Sequence, residues 1–183
     1  MFLSLAQQRR SCRSFLKKPV ESEKIDSLVE AALRSPSSRG RNPWSFIVVT
    51  DPEMLEKLSR ARPSGSAFLK EAPLGIVVLA ESQKSDVWVE DCSIASIYIW
   101  LEAESLGLGG CWIQIRSRNH NGSQTAEEYV RGTLNIPSRF SVESIIALGY
   151  PDKKPSPHRK EELEYDKVSV NVYGKPYPSN SGL

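Results

Sequence analysis

The stretch Leu74-Gly75-Ile76-Val77-Val78-Leu79-Ala80 is apolar at every position, so a strand here must be covered on both faces. A central strand of this kind requires a helical or second-sheet layer on each side. The surrounding sequence supplies helices. Ile25, Leu28, Val29, Ala32 and Leu33 recur at the spacing of an amphipathic helix that ends before Pro36. Asp51 and Pro52 form an N-cap and first turn for a helix running to about Ser59. Val87 to Leu106 is the longest helical signal. Its apolar arc is wide enough for a core helix or a subunit interface, and periodicity does not separate the two. Gly107 is placed as its C-terminal cap, and Thr125 with Glu128 reads as a capping box opening a helix through Leu134.

Further strands are predicted at Ser45–Thr50, at Cys111–Ile115 with the polar Gln114 in an apolar run, and from Ser144 through Tyr150, stopped by Pro151. Helices and strands interleave, with too few strict βαβ units for a doubly wound fold. No Gly-x-Gly-x-x-Gly follows a strand; Gly107-Leu108-Gly109-Gly110 follows a helix, which is the wrong context for a dinucleotide site. The 183 residues fit one domain, 1–183, with about 152–183 as an extended linker, arm and tail. Within it, Tyr165 to Tyr173 reads as a last strand or arm and 176–183 as a frayed tail.

A net charge of +2 is too small for wholesale nucleic-acid binding. No apolar run approaches the roughly 18 residues of a membrane span. The first residues are too polar for a signal peptide, so a cytoplasmic protein is expected. Three cysteines without a Cys-x-x-Cys pair, and only two histidines, support neither a metal site nor a disulfide framework. Cys92 and Cys111 read as buried thiols. Cys12 stands among arginines, which would lower its pKa, but packing is favoured over reactivity for it.

Two segments carry chemistry. Arg9-Arg10-Ser11-Cys12-Arg13-Ser14-Phe15 gathers three guanidinium groups and two hydroxyls at the end of a short helix over Leu3 to about Gln8. Fixed forks of donors suit phosphate or carboxylate, although a solvated basic face reads the same way from these residues alone. The loop Ser35-Pro36-Ser37-Ser38-Arg39-Gly40-Arg41-Asn42-Pro43-Trp44 offers short hydroxyls and amides to a polar ligand, and Trp44 needs something to pack on. A Pro- and Lys-rich linker, Asp152 to Lys160, holds Lys153, Lys154, His158 and Arg159 as candidate late-arriving cations.

Together these segments resemble the nitroreductase family of FMN-dependent oxidoreductases over about Leu5 to Tyr177. The Arg9–Phe15 stretch is similar to the family's Arg-Arg-Ser-x-Arg-x-Phe opening, and Ser35–Phe46 to its Ser-Pro-Ser … Gln-Pro-Trp-x-Phe loop. Glu104–Ile113 is similar to its Ala-Leu-Gly-Leu-Gly-x-Cys-Trp segment, and Leu148-Gly149-Tyr150-Pro151 with the basic linker to its C-terminal signature. The resemblance implies an α+β fold, a mostly antiparallel central sheet flanked by helices, built as an intertwined homodimer with FMN at the interface. It implies that Arg9, Arg10, Ser11 and Arg159 hold the phosphate and that Arg13 lies near the pyrimidine edge. Pro36, Ser37, Ser38 and Arg39 would reach the flavin from the partner subunit. Gln114 and Ile115 would line the ring near N5 through backbone amides, and Gly149 is counted with the cofactor-binding residues.

Gly40 and Asn42 stand where the family often carries Asn and Gln. The implied activity is hydride transfer from NADH or NADPH through flavin N5 to a nitroaromatic, quinone or related small aromatic acceptor in a ping-pong cycle, with no catalytic side chain. The family also serves dehalogenation and flavin-destroying chemistry, which these motifs do not separate. The alternatives are a flavin-storage protein and a basic nucleic-acid-binding domain.

Overall fold

The computed structural model describes residues 2–178. Four strands form one antiparallel sheet: β1 (Trp44–Val49), β2 (Leu74–Glu81), β3 (Gly109–Gln114) and β4 (Phe140–Gly149), in the order β1-β2-β4-β3. The all-apolar segment is central, between β1 and β4, as its sequence requires. Five helices flank the sheet among the described residues: α1 (Phe2–Gln8), α2 (Ser22–Leu33), α3 (Pro52–Ser59), α4 (Trp88–Ser105) and α5 (Ala126–Leu134). The fold is the expected α+β arrangement.

Alternation along the strands divides the core into two layers. Val77, Leu79, Ile113, Ile145 and Ala147 pack with Leu55 and Leu58 of α3 and Val130 of α5. Ile76, Val78, Ala80, Ile146 and Leu148 pack with Leu28 and Ala32 of α2 and Cys92, Ile99 and Ala103 of α4. Trp44 finds its partner in Phe46, with ring centroids 5.4 Å apart. Helix α4 is a core helix on one side of its wide apolar arc. Ala95, Ile99 and Ala103 are buried, whereas Ile94, Ile97 and Tyr98 on the outer side are exposed.

β4 starts at Phe140, four residues before the predicted strand. Val78 faces Ser144 and Leu79 faces Val142, so Glu143 is the extra residue of a β-bulge. The bulge lets Val142 and Ile145 share one face although they are three apart, and that breaks the period-two signal. The 165–173 segment does not form a named strand. It holds a 3-10 turn at Tyr165–Lys167 and an isolated bridge from Ser169 to Pro176. The tail expected over 176–183 lies, from residue 179, outside the described residues.

Gly149 is a close-approach position. A Cβ there would stand 2.5 Å from Cδ of Pro73, a ring that cannot swing away, and 3.1 Å from Cδ1 of Phe15. Gly149→Ala is therefore expected to cost about 2 kcal/mol, read from the midpoint of urea unfolding. An unchanged midpoint would contradict this packing role.

Candidate functional site

Residues after α1 run along the start of β3. Ser11 bridges Gly110, and the Cys12 amide donates to the Gly110 carbonyl at 2.9 Å. The end of the chain then returns to the same place. The Leu16 amide donates to Tyr150 O at 2.9 Å, the Asp152 amide to Ser14 O at 3.0 Å, and the Ser14 hydroxyl to the Asp152 carboxylate at 3.1 Å. Arg10 donates to the Ser156 carbonyl. The N-terminal arginines and the C-terminal linker thus meet at one edge of the sheet.

The groups gathered there are donors. The Arg9 guanidinium lies 4.5 Å above the Trp100 ring, and the Trp100 indole N–H is buried without a partner. Gly110 leaves room for this arrangement, since a Cβ would stand 3.1 Å from Trp100 Nε1. Among the described residues no carboxylate pairs with Arg9, Arg10 or Arg13. Unpaired cations beside an orphaned N–H fit an acceptor-rich anion such as a phosphate monoester. A cavity of about 340 Å³ between α1 and the C-terminal segment is lined by Leu3, Ala6, Arg9, His158, Lys160 and Leu163.

Arg159 lies between two of those lining residues, but its guanidinium is paired with Glu162 at 2.8 Å. The linker cation that does reach inward is Lys154, which pairs with the buried Glu104 near the end of α4. Arg13 is exposed, 5.8 Å from the Phe68 ring. Cys12 corrects the sequence reading. Burial pushes its thiol up, and Lys154 and Arg13 do not offset that. All three cysteines are buried free thiols.

The Pro36–Arg39 loop lies at the opposite end of α4. Asp91, buried in the first turn of α4, accepts from the Ser38 amide at 2.8 Å and from the Ser85 hydroxyl at 3.0 Å. Ser37 Oγ bonds the Asn42 amide at 2.9 Å and its side chain at 2.6 Å. Arg39, Gly40 and Asn42 take left-handed φ values of 53°, 63° and 45°. Glycine adopts that conformation freely, so Gly40 suits this turn. Asp91 and Trp100 are nine residues apart on one helix, about 14 Å along its axis. Within one chain the loop and the arginine cluster are not brought together.

Gln114, at the far end of β3, is partly exposed. Its carboxamide oxygen accepts from Trp112 Nε1 at 2.9 Å, and its NH₂ donates to Glu143 Oε1 at 3.2 Å and to the Arg116 carbonyl at 3.1 Å. Ile115 is fully buried, and its amide already donates to the Glu143 carbonyl at 3.1 Å. Gly149 is enclosed by Pro73 and Phe15. Sequence reasoning missed Trp100, Asp91 and Glu143. Glu143 carried a usable signal, an acidic residue between the apolar Val142 and the Ile145-Ile146 pair; Asp91, beside Glu90 at the start of a helix, carried none.

The family model for the nitroreductase family matches residues 6–65 and 60–150, most of the chain. The chain belongs to the nitroreductase family. It is 35% identical over 171 residues to a putative NADH dehydrogenase/NAD(P)H nitroreductase of Archaeoglobus fulgidus, covering 91% of this chain and 95% of that one. A protein of the same description from Methanothermobacter thermautotrophicus is 39% identical over 156 residues, covering 84% and 78%. Among solved structures, an FMN-dependent nitroreductase of Clostridium difficile R20291 superposes with a TM-score of 0.92. It is 46% identical, covering 93% of this chain and 99% of that one. Nitroreductase membership makes the chain an oxidoreductase. No helix among the described residues is long and apolar enough to cross a membrane.

Removing the Asp91 carboxylate would strand the Ser38 amide and release a loop with three left-handed residues. Asp91→Ala is expected to destabilise the protein by about 2 kcal/mol and to speed amide exchange at residues 37–42. Unchanged exchange there would show that Asp91 does not hold the loop.

Proposed function

We propose that the chain is an FMN-dependent oxidoreductase that works as a homodimer and passes reducing equivalents from NADH or NADPH to nitroaromatics, quinones or related small aromatic acceptors. The observation that carries this reading is what gathers where the two ends of the chain meet: arginines with no carboxylate partner, Arg9 among them over the Trp100 ring, and the buried, unpartnered Trp100 N–H. FMN, when bound, supplies the hydride-transfer chemistry at its ring.

The chain's own residues bind and orient. Arg9, Arg10 and Ser11 neutralise and fix the phosphate, each charge-assisted bond being stronger than a neutral one. Arg159 joins them only by leaving Glu162. Arg13 supplies a cation for the pyrimidine edge. Gln114 borders the ring with its carboxamide already fixed, and the taken amide of Ile115 leaves that residue a wall rather than a donor.

Two observations support a dimer. Ile94, Ile97 and Tyr98 on α4, with Val168, Val172 and Tyr173 on the C-terminal arm, leave apolar side chains uncovered in a single chain. The Pro36–Arg39 loop is about 14 Å along α4 from the arginines, so a second copy is the natural source of a loop for each site.

Fluorescence titration with FMN tests the phosphate seat. Arg9→Ala combined with Arg10→Ala is expected to weaken FMN by about 100-fold, because two charged hydrogen bonds are lost. Unchanged affinity would refute the assignment. Light scattering should find the flavin-loaded protein as a dimer, and a flavin-loaded monomer would remove the partner's loop from the site.

A further inference from the structure

Glu143 is the extra residue of the β4 bulge, and bulges re-aim side chains beside functional sites. Its residue is only 3% exposed, and its Oε2 is buried without a hydrogen-bond partner. Such a group is costly unless it has work to do. Its other oxygen and its backbone carbonyl both meet the end of β3. Oε1 accepts from the Gln114 carboxamide at 3.2 Å, and the carbonyl accepts from the Ile115 and Arg116 amides at 3.1 Å each.

We propose that Glu143 is a positioning residue of the reaction, fixing the Gln114 carboxamide from beneath and setting the charge felt at that edge of the flavin. The proposal rests on the reading that flavin lies against Gln114. The orientation of the carboxamide is determined by its neighbours. Turned over, its NH₂ would face the Trp112 N–H, and its oxygen would face Glu143 and the Arg116 carbonyl. The Trp112 N–H and the Arg116 carbonyl select the arrangement that also turns the NH₂ toward Glu143.

The charge state follows from what surrounds the carboxyl. Burial pushes its pKa up, and Glu127 of α5 and Glu90 of α4 push the same way. The Gln114 hydrogen bond and Arg116, whose Nε is 4.0 Å from Oε2, pull it back. Cys92 of α4 feels both Glu143 and Asp91 as nearby negative charges, and its own thiol is raised, chiefly by burial. On the β2 side the facing residues, Val78 and Leu79, are apolar. The carboxyl therefore holds its proton to a higher pH than an exposed glutamate and loses it as pH rises. Once ionised, it places a negative charge under Gln114. That charge opposes the one added to the ring on reduction, so the flavin's midpoint potential falls.

The test compares FMN-loaded wild type, Glu143→Gln and Glu143→Ala by midpoint potential across a pH series and by FMN affinity. Glu143→Gln keeps a polar neutral side chain. It is expected to bind FMN within about twofold of wild type and to lose the extra fall in potential that wild type shows as Glu143 ionises. Glu143→Ala removes one of the partners of the carboxamide NH₂, leaving the Arg116 carbonyl, and is expected to bind FMN about tenfold more weakly. Identical potential–pH curves for wild type and Glu143→Gln, with FMN bound to both, would overturn the role of Glu143 and leave the flavin reading standing. Failure of all three proteins to take up FMN would overturn both.

Discussion

The seam along the start of β3 is the contact on which the rest of the site depends. Cys12 donates to Gly110, and Gly109 lets the two backbones approach, since a Cβ there would stand 2.8 Å from that of Cys12. Ser14 and Asp152 close the other side. Short-range order in the chain puts arginines on both sides of residues 11 and 12. Once the seam forms, Arg9 and Arg10 have nowhere to go except the sheet edge shared with the linker. The gathering of arginines at that edge is a consequence of backbone pairing, not of any attraction among like charges.

Helix α4 links this edge to everything else. Its inner face carries the core, its last turns carry Trp100 and Glu104, and its first turn carries Asp91. Two buried carboxylates near that first turn are treated differently. Asp91 is satisfied by an amide and a hydroxyl, and works as a clamp on the 37–42 loop. Glu143 is half satisfied, with one oxygen on Gln114 and one unpartnered. A satisfied buried charge rigidifies, whereas a half-satisfied one responds to its surroundings.

Much of the fold was legible because local chemistry decides it. Asp51 caps α3 by accepting from the Glu53 amide at 3.1 Å, Thr125 and Glu128 make the reciprocal capping box, and Gly107 takes the left-handed φ of 74° that ends α4. The missed features depend on contacts distant in sequence. The Glu143 bulge hid the start of β4, because one inserted residue inverts the alternation. Cys12 reads as a packed thiol whose pKa the arginines lower, yet the surrounding core outweighs them and raises it. Arg159 reads as a free cation, yet Glu162 three residues on captures it. Ile115 reads as an available amide until β4 is laid beside it. The arm over 165–173 has strand composition but pairs with none of the four strands, holding only a 3-10 turn and a bridge from Ser169 to Pro176.

A crystal structure of the protein grown with FMN measures the central claim most directly. The account predicts a phosphate within hydrogen-bond distance of Arg9 and Ser11, and a ring contacted by Pro36–Arg39 of a second copy. A phosphate bound away from the Arg9–Arg13 segment, or a ring contacted by both segments of the same chain, would contradict it.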